Sequence, residues 1–186
     1  RSAMPHPIPY QGSKRNLAWQ ILGVVKERPR RFFEPFAGSA AITLAAAKRG
    51  LADEFAISDS LAPLIDVWKR VLADPSALAD EYERVWSPAD EDSGHYTRVR
   101  NEFNRNGGAA HLLYLLARCV KNSPRWNREG AFNQSADRRR LGMRPARMRR
   151  ALVGAHHILH GRTVALACDF ENALVAAGPG DLVYMD

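Results

Sequence analysis

The sequence has no apolar run approaching the roughly 20 residues that a membrane span requires, so no stretch of it reads as a transmembrane helix. Cysteine is nearly absent: Cys119 and Cys168 are the only two, and each lies inside an apolar run. That excludes a disulfide framework and fits reduced core thiols of a cytosolic protein. Gly-x-Gly-x-x-Gly does not occur, which argues against a dinucleotide site, because cradling a pyrophosphate needs several bare backbone N–H groups. No Ser-His-Asp signature stands out, and there are no repeats or low-complexity tracts. His156, His157 and His160 place histidines at i and i+4 of a helix, a spacing that can ligate zinc. A zinc site needs three or four convergent ligands, and no fitting cysteine or carboxylate set lies nearby, so no metal is expected. Acids are the scarcer charge, 20 against 27 Lys and Arg, for a net +7.

What is present centres on Arg31-Phe32-Phe33-Glu34-Pro35-Phe36-Ala37-Gly38-Ser39-Ala40-Ala41-Ile42. It reads as a buried strand, a tight loop at Gly38, and the opening turn of a helix that closes at Gly50, a good C′ residue. A strand ending in an acid and a small-residue loop, then a helix, is how α/β sheets build nucleotide sites at their carboxyl edge. About twenty residues on, the run Phe55-Ala56-Ile57-Ser58 ends in Asp59, where an acid can hold ribose hydroxyls. The other reading of Asp59 is an ordinary N-cap. With Gly38 standing alone, a ligand with an adenosine and no phosphate fits better than a dinucleotide, and S-adenosyl-L-methionine is such a ligand.

Around this centre the chain reads as one domain with an insert. Ser13 is expected to cap a helix from Arg15 to Lys26, in which Leu17, Ile21, Val24 and Val25 recur at helical spacing. A helix from Leu61 to Ala73 follows the second strand, which implies a parallel crossover. Helices are expected at 76–86, 90–104 and 108–120, then a polar, aromatic loop or small hairpin over 121–134. A helix at 145–160 precedes the strand Thr163–Cys168, a short helix to Ala177 and a last strand ending on Asp186. The expected organisation is a cofactor-binding α/β core over 5–74, a helical insert with a recognition loop over 75–144, and the second part of the core over 145–186. Nothing after Asp186 closes the sheet, so the sequence is expected to be the N-terminal portion of a longer, cleaved or split polypeptide.

Arginine is dense from Arg138 to Arg150. Excess arginine is the electrostatic footprint of a polyanionic partner; the plainer reading is a solvated basic surface.

Five motifs occur in one order: Pro9-Tyr10-Gln11-Gly12-Ser13-Lys14, Phe33-Glu34-Pro35-Phe36-Ala37-Gly38-Ser39, Asp59, Asp169-Phe170, and Val183-Tyr184-Met185-Asp186. The set resembles the Dam-type (class alpha, D12) DNA adenine-N6 methyltransferases, in which target recognition lies between the cofactor motif and the catalytic Asp-Pro-Pro-Tyr. Only the first residue of that last motif, Asp186, is present. The resemblance implies a Rossmann-like methyltransferase sheet with an inserted helical target-recognition subdomain, the C-terminal part of the sheet being absent from this chain. It implies a bacterial or phage cytoplasmic protein associated with the nucleoid, with double-stranded DNA and the C-terminal remainder of the same protein as partners. Restriction–modification or Dam-like roles are both open.

By the same resemblance Tyr10 and Lys14 belong to the S-adenosylmethionine site. Glu34 faces the methionine ammonium or orders the loop, Phe36 offers apolar contact, and Gly38 admits the backbone closely. Asp169 and Phe170 would hold the adenine by hydrogen bond and stacking. Asp186 is the catalytic candidate: with a neighbouring carbonyl it can accept both N–H groups of an adenine amine and aim the lone pair at the methyl on sulfur. Positioning and electrostatics supply that gain. On the DNA side, Asn122, Arg125, Trp126, Asn127, Arg128, Phe132 and Asn133 resemble the family's recognition stretch. The Asn122-to-Arg125 spacing is one residue shorter than the family's pattern. Arg, Asn and Gln read base edges, while Trp or Phe can wedge at the vacated stack. Arg138 and Arg139, with the arginines that follow, would grip phosphates.

The expected activity is site-specific methyl transfer to N6 of a flipped adenine, with the isolated 186-residue chain inactive. The alternatives are a non-catalytic DNA-binding or cofactor-sensing module of this fold, and an RNA adenine methyltransferase.

Overall fold

The computed structural model describes residues 3–87 and 94–186. Strands β1 (Arg31–Glu34), β2 (Glu54–Asp59), β3 (Thr163–Ala167) and β4 (Leu182–Val183) form one sheet in the order β3-β2-β1-β4. Every pairing is parallel, with Phe32 opposite Phe55 and Leu182, and Ile57 opposite Ala165. The chain therefore runs outward from β1 through β2 to β3, then returns to the far side of β1 as β4. That reversal between β1 and β4 is a topological switch point, where open α/β sheets place their ligands outside the carboxyl ends of the strands.

The α-helices among the described residues are α1 (Ala18–Gly23), α2 (Ala41–Arg49), α3 (Ala62–Ala73), α4 (Pro75–Val85), α5 (His95–Asn106), α6 (Ala109–Arg118), α7 (Pro145–Leu159) and α8 (Phe170–Leu174). Alternation along the strands puts Phe32, Phe55, Ile57 and Ala165 on one face, where all four are buried. On β3 the opposite positions, Val164 and Leu166, are exposed. Between residues 75 and 118 the described residues form α4, α5 and α6; α4 and α6 pack on α3 while α7 packs on α4. The buried residues of α4 and α6, among them Leu78, Leu112 and Tyr114, belong to the same hydrophobic core as the sheet. The expected start of the helix at residue 90 lies outside the described residues; α5 is described from His95.

The first helix is shorter than its apolar spacing predicts, six residues rather than the expected span from Arg15 to Lys26. Ser13 does not cap it. The Ser13 hydroxyl instead accepts from Ser39 Oγ at 2.8 Å, tying the N-terminal segment to the loop after β1. Gly50 ends α2 in the left-handed region at φ 69°, as its position predicts.

Candidate functional site

The loop after β1 is shaped by contacts from three directions. Ala37 N–H donates to Ser58 O at 2.8 Å, Gly38 N–H to Asp59 Oδ2 at 3.1 Å, and Trp68 Nε1 to Gly38 O at 3.0 Å. Gly38 sits at φ +51°, and a Cβ there would lie 3.3 Å from Tyr10 Cδ1. Only a bare backbone lets the Tyr10 ring lie against the loop while holding that conformation. Phe36 also has positive φ, 60°, and half-exposes its ring.

The loops at the carboxyl ends of β1, β2 and β4, with the Tyr10–Lys14 segment, enclose a cavity of about 320 Å³. Of the residues expected in a cofactor site, Tyr10, Lys14, Glu34, Phe36, Gly38, Asp59 and Asp186 line it together. Asp169 and Phe170 do not. Asp169 accepts from Asn172 N–H at 2.8 Å and so caps α8, while the Phe170 ring stacks against Phe36 with centroids 5.4 Å apart. They remain close to the cavity's edge, since Cys168 N–H bonds Asp59 O at 3.1 Å. Ser13, Ser39 and Tyr184 also line the cavity. Sequence reading missed them as site residues, although all three fall inside the motifs it singled out.

Glu34 is fully buried beneath the N-terminus of α2, where its Oε2 accepts from Thr43 N–H at 2.8 Å and from the Thr43 hydroxyl. Of its two expected roles, ordering the loop is the one these contacts perform, and the helix N-terminus favours its charge. Burial nevertheless outweighs those hydrogen bonds and pushes its pKa up to about 7. Asp59 is not the N-cap of α3, which is Leu61, but its carboxylate orders the chain just ahead of that helix. Oδ1 accepts from Leu61 N–H at 3.0 Å in the turn that leads into α3, Oδ2 takes Gly38 N–H, and the carboxylate lines the cavity. Burial first, then the nearby Asp59 charge, pushes the Tyr10 phenol up to about 12, so it stays a neutral hydrogen-bonding group. At the cavity mouth Lys14 and Asp186 form an ion pair, and Lys14 Nζ also donates to Gly12 O at 3.2 Å.

The second expected site is a small hairpin. Asn133 N–H bonds Arg125 O at 2.9 Å, Asn127 N–H bonds Ala131 O at 2.9 Å, and Trp126 bridges Phe132. Asn127 Oδ1 accepts from Glu129 N–H and Ala131 N–H, so its side chain builds the turn. Phe132 is 1% exposed and meets Trp126 and Phe103 edge-on. Its expected place against DNA is thereby corrected: the ring is core, and Trp126 is half-buried over the same cluster. Asn104, which sequence reading did not single out, grips the Phe132 backbone at both N–H (2.8 Å) and O (2.9 Å). Asn122 likewise spends its side chain on Leu116 O at 2.7 Å. Arg125, Arg128, Asn133 and Arg138 are exposed. Arg139 is exposed but bound to Asp137, whose carboxyl it holds below the usual range.

His156 and His160 turn Nδ1 toward Val71 O (2.9 Å) and Leu72 O (3.3 Å) and stack on each other. These contacts fasten α7 to the end of α3. Among the described residues no group of three or more His, Cys, Asp or Glu gathers, and no helix is long and apolar enough to cross a membrane.

The chain is 28% identical over 182 residues to a DNA N-6-adenine-methyltransferase of Escherichia phage P1, covering 95% of this chain and 23% of that protein. It is 25% identical over 162 residues to the retron Ec67 DNA adenine methylase of Escherichia coli, covering 84% of this chain and 54% of the relative. It is 25% identical over 188 residues to the type II methyltransferase M1.LlaDCHI of Lactococcus lactis subsp. cremoris, covering 95% of this chain and 63% of that one. The chain thus spans less than two thirds of the length of each. A family model matches residues 10–186, from the Tyr10 loop through Asp186, and by that match the chain belongs to the D12 class N6 adenine-specific DNA methyltransferases.

Proposed function

We propose that this chain carries the cofactor pocket and target-recognition hairpin of a protein that methylates N6 of adenine in duplex DNA, using S-adenosylmethionine. The observation that carries the reading is the single cavity at the switch point, which gathers Tyr10, Glu34, Gly38, Asp59 and Asp186 from four separate stretches of sequence.

The donor set fits that cofactor. Asp59 keeps lone pairs on both oxygens beyond the backbone N–H groups it accepts, and these suit vicinal hydroxyls. Acidic groups around the cavity suit a ligand bearing an ammonium and a sulfonium, and Phe36 and Tyr10 supply apolar contact for a purine. The lone Gly38 offers too few free N–H groups for a pyrophosphate. When bound, S-adenosylmethionine supplies the methyl group.

Asp186 is placed to accept an N–H of a target amine. An adenine amine is a poor nucleophile because its lone pair is delocalised into the ring; a carboxylate acceptor draws the nitrogen toward tetrahedral geometry and stabilises the charge that develops on it. In this proposal Lys14 exchanges its partner, releasing Asp186 to the amine when a ligand carboxylate takes the ammonium. The target leaves the duplex to reach the pocket. The hairpin presents Arg125, Arg128 and Asn133 on a turn anchored by Phe132 and Trp126, a rigid mount for side chains that read base edges.

The test is methylation of a plasmid by the complete protein with labelled cofactor, followed by mapping of the modified bases. Label on N6 of adenine at one recurring sequence supports the reading. Label on cytosine, on RNA alone, or nowhere removes it.

A further inference from the structure

A second cavity, of about 820 Å³, lies apart from the cofactor pocket and has a different chemistry. Its walls are the N-terminal segment from Met4 to Pro9, the stretch from Arg140 to Met143, and one face of α7. On that helix Arg147, Arg150, Gly154 and His157 recur at helical spacing and share the face. A Cβ at Gly154 would come within 3.0 Å of Pro5 Cβ, so the bare backbone there lets the N-terminal segment close against α7 and form the cavity.

The lining contains four arginines, Arg15, Arg140, Arg147 and Arg150, together with Lys48, and no aspartate or glutamate. Among the described residues no carboxylate pairs with Arg15, Arg147 or Arg150, whereas their neighbours Arg139 and Arg149 are held by Asp137 and by Asp80 and Glu83. Within the arginine-rich run, Arg139 and Arg149 are thus fixed by acids, Arg147 and Arg150 reach one hollow, and Arg140 does both. Two polar atoms in the lining, His6 Nδ1 and Arg140 Nε, are buried without a hydrogen-bond partner, although Arg140 Nε has the Asp137 carboxylate at 3.5 Å. Buried polar groups normally find partners. A ligand that supplies acceptors and several negative charges would satisfy both.

We infer that this cavity is an anion site for phosphate groups, distinct from the cofactor pocket. The phosphates are either the phosphodiesters of a nucleic-acid backbone or the polyphosphate of a free nucleotide. A single carboxylate would leave most of the positive charge uncompensated, whereas arginine forks match phosphate oxygens two at a time. The backbone source rests on the proposed duplex DNA reading, whereas the nucleotide source does not depend on it.

The experiment compares the parent protein with the Arg147→Gln/Arg150→Gln double variant and with Arg149→Gln, whose side chain faces α4. Both altered arginines of the pair are exposed, and thermal melting verifies the fold. Binding of a labelled short duplex is measured across a salt series, and binding of ATP and of inorganic pyrophosphate by calorimetry. S-adenosylmethionine binding is measured in parallel and is expected to be unchanged. A backbone site predicts that the slope of log affinity against log salt falls by about 2 in the double variant, one for each lost phosphate contact. A nucleotide site predicts at least tenfold weaker ATP and pyrophosphate binding with duplex affinity retained. Unchanged binding of all three probes in the double variant, or an equal loss in Arg149→Gln, overturns the site. Failure of S-adenosylmethionine binding in the parent protein would instead count against the proposed methyltransferase reading and leave this one standing. Should the double variant fail to fold, Arg147→Lys/Arg150→Lys replaces it: weaker pyrophosphate or duplex binding supports arginine forks on phosphate, and unchanged binding counts against them.

Discussion

Lys14 and Asp186, 172 positions apart in sequence, form an ion pair across the mouth of the pocket at the sheet's switch point. Each is about two-fifths exposed, at 37% and 43%. Solvent screening keeps such a pair weak, roughly 0.2–1 kcal/mol. Lys14→Met is therefore expected to lower the unfolding free energy by less than about 1 kcal/mol while weakening S-adenosylmethionine binding measured by calorimetry. A large loss of stability with unchanged cofactor affinity would make Lys14 a structural residue only.

Glu34 gives a pH signature. Its folded pKa, about 7, lies above the ordinary 4.5. Between those values the folded protein binds more protons than the unfolded chain, so stability is greatest at the acid end. It falls as pH rises through this window and levels off above it. Glu34→Gln keeps an acceptor for Thr43 and removes the titration. The difference in unfolding free energy between parent and variant should slope between pH 4.5 and 7 and be flat above. A flat difference throughout would mean that Glu34 ionises normally in the fold.

Asp59 holds two backbone N–H groups and lines the cavity proposed for the cofactor, so its variants separate structure from binding. Asp59→Ala is expected to weaken cofactor binding roughly 10- to 100-fold, the worth of a charge-assisted hydrogen bond, and to leave duplex binding nearly intact. Asp59→Asn, which retains one acceptor, should fall between. Equal cofactor affinity in all three proteins would remove Asp59 from the site.

The hairpin divides into a buried and an exposed set. Phe132→Ala should cost roughly 3–5 kcal/mol of stability, as emptying a core aromatic site does, measured by denaturant unfolding. Arg125→Ala should leave stability unchanged and relax sequence preference in duplex binding. A Phe132→Ala protein of parental stability would return that ring to the candidate DNA contacts.

Among the phosphate-contact candidates, Arg139 is tied to Asp137, whereas no acid among the described residues pairs with Arg138. Arg138→Ala should reduce the salt dependence of duplex affinity by about 1 in log–log slope, and Arg139→Ala by less. The reverse order would show that Asp137 releases its partner on binding.

The sequence by itself determined the order of elements and the identity of the central loop. Apolar runs ending in Glu34 and Asp59, helical spacing after each, and glycines at 38 and 50 are local signals, readable without knowing what they pack against. It also indicated that Glu34, Asp59 and Asp186 would meet, because the carboxyl ends of parallel strands share an edge, but it wrongly added Asp169, which caps α8. What a side chain does once packed was decided by tertiary structure alone. Ser13 left its expected cap for Ser39, and Phe132 went into the core beside Phe103. Glu34 went beneath α2, and Arg149 turned toward the acids of α4 while its neighbours Arg147 and Arg150 lined a cavity. Hydrogen-bond partners and burial come from residues distant in sequence, and a pattern read along one chain contains no information about which of them arrive.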